Sequence, residues 1–151
     1  MKVLKYILLF LLVGIITIQF FPPAKNQSGS GVSVTDITVL YHVQGNVRTI
    51  LQNACYDCHS NNTRYPWYVN IQPLGWFMAK HIKEGKAELN FNNFGAYSSK
   101  RQRNKLKRMK EQVEEGEMPL ASYTLMHADA RLSAEQKTIL VNWIGQAIVD
   151  K

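Results

Sequence analysis

The residues best equipped for chemistry stand together. Cys55-Tyr56-Asp57-Cys58-His59 holds both cysteines of the 151-residue chain, with a histidine directly after the second. This C-x-x-C-H spacing is the form used to attach haem c. Two thiols three positions apart on a helical turn reach the two vinyl groups on one porphyrin edge, and the following imidazole is drawn under the ring to bind iron. A thioredoxin-like dithiol would need a βαβ setting, and a structural zinc would need a fourth ligand and usually a second paired motif. The expectation is one covalent haem c held by Cys55, Cys58 and His59.

The second axial ligand must come from a loop that returns to the opposite face of the ring. Met118 fits, because Gly116 can end the preceding helix and Pro119 biases Met118 towards extended backbone. His81 and His127 are the alternatives, whereas Met78 and Met109 lie in helical settings that suit core packing. Trp67, Tyr68, Trp76 and Phe77 could wall the porphyrin, and Arg64 or Tyr65 could bond a propionate. His42 is expected on the surface.

In order along the chain come a helix, C-x-x-C-H, central helices, the Gly116-Glu117-Met118-Pro119 loop and a closing helix. This order resembles a class I cytochrome c. More closely, the run from Cys55 through Ser60-Asn61-Asn62-Thr63-Arg64-Tyr65-Pro66-Trp67-Tyr68 resembles the bacterial haem-binding domain family. The likeness continues through Lys80-His81-Ile82-Lys83-Glu84-Gly85, Leu89-Asn90-Phe91, Met118-Pro119-Leu120 and His127. The resemblance implies haem c binding in an extracytoplasmic setting, with members closer to electron carriers than to enzymes.

An all-α domain is expected to position these residues, since no stretch alternates like a strand for long. Apolar residues at three- and four-residue steps over residues 39–54 predict a helix running straight into Cys55. A second helix is expected from Pro73 to a stop at Gly85, and a third over residues 99–115, ended by Gly116. Ser133 and Gln136 form a capping box that opens the last helix. Residues 60–72 and 116–132 read as long loops.

Residues 1–23 carry Lys2 and Lys5 ahead of an apolar run with no small-x-small cleavage site near its end, the pattern of an export signal retained as an anchor helix, with cleavage near residues 24–31 as the alternative. The positive-inside rule then sends the rest outward, so that in a bacterium the segment crosses the inner membrane once and the domain lies in the periplasm. Residues 24–36 read as a flexible linker, and residues 37–151 as the haem domain. The net charge of +7 is concentrated in Lys100, Arg101, Arg103, Lys105, Lys107, Arg108 and Lys110. This cluster reads as a solvated helix face, or else as a docking surface for an acidic redox partner protein or for anionic lipid headgroups, and export argues against nucleic acid. Nothing suggests paired acid and base groups, so a one-electron carrier is the leading function. A peroxidase-like or gas-sensing haem with an open iron position, or a haem-stabilised assembly module, are the alternatives.

Overall fold

The computed structural model describes residues 2–29 and 31–149. Met1, Ser30, Asp150 and Lys151, which fall in the expected anchor, linker and domain, lie outside the described residues. Among the described residues the fold is all-helical: α1 (Lys2–Ile18), α2 (Ile37–Leu40), α3 (Gly45–Ala54), α4 (Tyr56–His59), α5 (Leu74–Glu88), α6 (Ser99–Glu115), α7 (Ala121–Met126) and α8 (Ala134–Val149). Short 3-10 turns occupy Trp67–Asn70, Phe91–Ala96 and Ala128–Ala130.

The main core gathers Ile37 and Val43 with Ile50 and Leu51 of α3, Phe91 and Phe94, Leu106, Met109 and Val113 of α6, and Leu140, Ile144 and Ala147 of α8. The i, i+3, i+7 run of Leu106, Met109 and Val113 puts one apolar stripe on an otherwise charged helix. Packing of that stripe against α8 outweighs the charge order of α6, which has no acidic residue in its first turn and no basic residue in its last. Gly116 closes α6 in the left-handed region at φ 80°, and the amides of Glu117 and Met118 then donate to the Gln112 carbonyl. The capping box of α8 forms as the sequence suggests: the Ser133 amide donates to Gln136 Oε1 at 2.9 Å, and the Gln136 amide to Ser133 Oγ at 3.1 Å.

Three expected boundaries are corrected. The single helix over residues 39–54 is broken, because His42 at φ 48° and Gly45 at φ 60° turn the chain between α2 and α3. The second helix does not stop at Gly85 but runs on to Glu88. The expected loop over residues 116–132 contains α7.

Residues 26–28, within the segment read as a linker, are tied to the loop after the C-x-x-C-H motif. The Asn26 carbonyl accepts from the Thr63 amide at 2.9 Å, and the Ser28 amide donates to the Asn61 carbonyl at 3.1 Å. Asn26 Nδ2 adds bonds to Ser60 O and Thr63 Oγ1. Asp36, fully buried, then caps α2 and accepts from Thr38, Tyr56 and Asn92.

Among the described residues no helix is long and apolar enough to cross a membrane. With 17 residues, α1 extends about 26 Å at 1.5 Å per residue, short of the ~30 Å hydrocarbon core. None of its residues is buried by the domain.

Candidate functional site

The motif is held from three sides. Behind it, α5 passes so close that a Cβ on Gly85 would lie 2.9 Å from the Cys58 carbonyl oxygen and 3.4 Å from Cys58 Cβ. Gly85 is therefore a contact residue inside the helix rather than its stop. Beneath, the buried Asp57 carboxylate accepts from the Arg64 amide at 3.0 Å and from its guanidinium, while Tyr123 Oη donates to Asp57 Oδ2 at 2.6 Å. Thr63 Oγ1 donates to the Asp57 carbonyl at 2.6 Å. In front, Tyr56 and His59 both pack against Phe91, with ring centroids 5.1 Å and 5.7 Å away.

His59 Nδ1 lies 2.9 Å from the Leu89 carbonyl oxygen. A carbonyl can only accept, so Nδ1 carries the proton and Nε2 keeps a free lone pair. Burial pulls the His59 pKa down, with the Leu89 carbonyl bond opposing, and favours the neutral, ligating form. This is the outer bond by which a metal-binding imidazole is commonly oriented.

Burial pushes the Cys55 thiol up to about 12 and the Cys58 thiol up to about 11, with Cys58 and Asp57 as the respective charged neighbours. Both are free thiols in the chain. A dithiol nucleophile needs the opposite shift. Among the described residues no group of three His, Cys, Asp or Glu side chains is assembled that could hold a metal ion.

Beside the motif opens a cavity of about 480 Å³, within the size range of small-ligand sites. Cys55 and His59 lie on its wall, and so do Met118 and Pro119 from the loop after α6. Leu89, Phe91, Val113 and Leu132 make the wall largely apolar. The predicted residues Cys55, His59 and Met118 are thus brought to one cavity, while Cys58 packs against Val69, Met78 and Ile82.

The two alternative ligands lie elsewhere. His81 bonds the Phe77 carbonyl of its own helix. His127 stacks on Tyr123 at 4.1 Å and meets Tyr68 Oη at 2.5 Å. The aromatic residues expected to wall the porphyrin also point away: Trp67 is 74% exposed and Phe77 55%, and none of Trp67, Tyr68, Trp76 and Phe77 lines the cavity. Arg64 is taken up by Asp57, and Tyr65 Oη accepts from the Asn26 amide. Neither reaches the cavity.

Sequence reasoning missed the wall residues contributed by α6. Met109 reaches the cavity as well as the core, and Lys105 and Arg108, one turn apart, are its cations. Both engage Glu88, Lys105 through the Glu88 carbonyl and Arg108 through the carboxylate at 3.3 Å. Their i, i+3 spacing was readable in the sequence, but which face of α6 met the motif was not.

The all-helical domain thus brings Cys55, His59 and the looped Met118 to one largely apolar cavity, with Cys58 behind it. The chain matches the haem-binding domain family over residues 13–146 and belongs to it. No curated protein and no solved structure matches. The residues present fit the cofactor: a neutral imidazole with a free nitrogen, a thioether and a thiol stand on the cavity wall, and Lys105 and Arg108 stand there beside Glu88.

Proposed function

We propose that the chain is a membrane-anchored c-type haem protein that passes single electrons outside the cytoplasm, with one haem attached through Cys55 and Cys58. The observation that carries this reading is the pairing across one cavity of His59, its Nδ1 committed to Leu89, with Met118 on the returning loop. Haem supplies a one-electron iron couple when bound. This chain's residues would orient the ligating imidazole through Leu89, exclude water with Leu89, Phe91, Val113 and Leu132, and meet the two propionates with Lys105 and Arg108. Met118 would complete the iron's coordination.

The cationic face of α6 borders the same cavity, so an acidic partner docking there would approach the haem edge directly. The uninterrupted apolar surface of α1, with Lys2 and Lys5 at its start, supports its reading as a single-pass anchor of the inner membrane. A short helix can be matched by local thinning of the bilayer and by snorkelling of Lys5. The domain would then face the periplasm.

Optical spectra of the purified protein test the reading. The oxidised form should be six-coordinate and low-spin with a weak near-infrared band from methionine-to-iron charge transfer, and the reduced form should not bind carbon monoxide. Met118→Ala should abolish that band and admit carbon monoxide. An unchanged spectrum in Met118→Ala would shift the ligand to Met109, the other thioether on the wall.

A further inference from the structure

The end of α1 is clasped to the haem domain. Gln19 Nε2 donates to the Gln72 carbonyl at 3.1 Å, and Gln19 Oε1 accepts from the Gln72 amide at 2.8 Å. Trp76 Nε1 donates to the Phe21 carbonyl at 2.7 Å. These three bonds join a helix that is apolar on all sides to the segment 67–77.

That segment carries the domain's densest run of exposed large apolar side chains, although Leu125 and Met126 are exposed elsewhere. Trp67, Ile71, Leu74, Trp76 and Phe77 are exposed, as are Phe20 and Phe21 on the other side of the clasp. Aromatic residues at the end of an apolar helix are the usual composition of the membrane interface, where an amphipathic ring sits at headgroup level. In water the same cluster would be an unfavourable apolar patch.

Charge points the same way. Residues 67–77 themselves carry no Asp or Glu, so no carboxylate within the aromatic segment opposes anionic headgroups, and Lys83 follows it.

We propose that residues 67–77, with Phe20 and Phe21, form a lipid-facing platform that seats the haem domain on the bilayer holding α1. The proposal rests on the reading of α1 as the anchor, and the clasp makes domain and anchor one body instead of a ball on a tether.

The full haem-loaded chain would be placed in vesicles of phosphatidylcholine and phosphatidylglycerol whose acyl chains carry a photoactivatable diazirine, and the labelled residues mapped by mass spectrometry. Label is expected on residues 2–21 and also on Trp67, Ile71, Leu74 and Phe77. Label confined to residues 2–21 would overturn the platform and leave the anchor standing. A chain that does not float with the vesicles would overturn both. The double substitution Trp67→Gln with Phe77→Gln, at exposed positions that do not endanger folding, should keep flotation and lower labelling of residues 71–77 severalfold. Undiminished labelling of those residues would also count against the platform, since the named side chains would not be what holds it to lipid.

Discussion

At the scale of single residues the attachment chemistry is the sharpest claim. Two thioethers survive denaturation, whereas coordinated haem does not, so haem should remain with the chain on a denaturing gel. Cys55→Ala with Cys58→Ala should release it, and retained covalent haem in that variant would refute attachment at this motif. Lys105 and Arg108 carry a second expectation. A cation beside the haem disfavours the more positive ferric state, so Lys105→Gln or Arg108→Gln should lower the reduction potential. Lys107→Gln makes the same change of charge on an exposed face of α6 that does not line the cavity, and should shift it less. Equal shifts in a potentiometric titration would mean that Lys105 and Arg108 act only through net charge.

Elements show where the sequence was readable. The start of α5 after Pro73, the end of α6 and the cap of α8 followed from local signals: proline geometry, the αL glycine and the Ser133–Gln136 box. The break between α2 and α3 escaped the periodicity because a tight turn through His42 keeps Leu40 and Val43 near the core on either side. The approach of Met118 to the cavity that His59 lines was legible because Gly116 and Pro119 mark a turn around it. The Asp57 network was not, since nothing local signals that a carboxylate inside the motif will be buried under Arg64 and Tyr123. Gly85 was misread as a helix stop for a related reason. A mid-helix glycine that makes room for another backbone looks the same in sequence as one that ends a helix. Replacing it separates the two roles. Gly85→Ala would gain up to about 1 kcal/mol of helix propensity but force a Cβ against the Cys58 carbonyl, an overpacking cost of about 1–3 kcal/mol. Because the opposing atom is backbone and cannot rotate away, the clash should win by about 1 kcal/mol, measurable as a lower urea midpoint.

Across the whole molecule, two phenols tie the haem motif to its surroundings, Tyr56 to Asp36 and Tyr123 to Asp57. Burial, followed by the bond to the carboxylate, raises both above the ordinary tyrosine value of 10.0. Above pH 10 the unfolded chain therefore loses protons that the folded chain retains. Their contribution to stability is complete below that pH and is lost as pH rises through the folded values. Denaturant midpoints should fall between pH 10 and pH 11, and Tyr56→Phe with Tyr123→Phe should flatten the decline. An unaltered slope would place the alkaline sensitivity elsewhere.

The burial of Cys55 and Cys58 also bears on how the molecule comes into being. A thiol whose proton is held up to about pH 12 reacts sluggishly at neutral pH, and in the finished fold Cys58 is further walled in by α5 and the side chains around Met78. On the proposed covalent attachment, the thiols would have to react before the helices pack around them, so cofactor delivery and folding would run as a race, and a chain that closed too early would be withdrawn from the productive route.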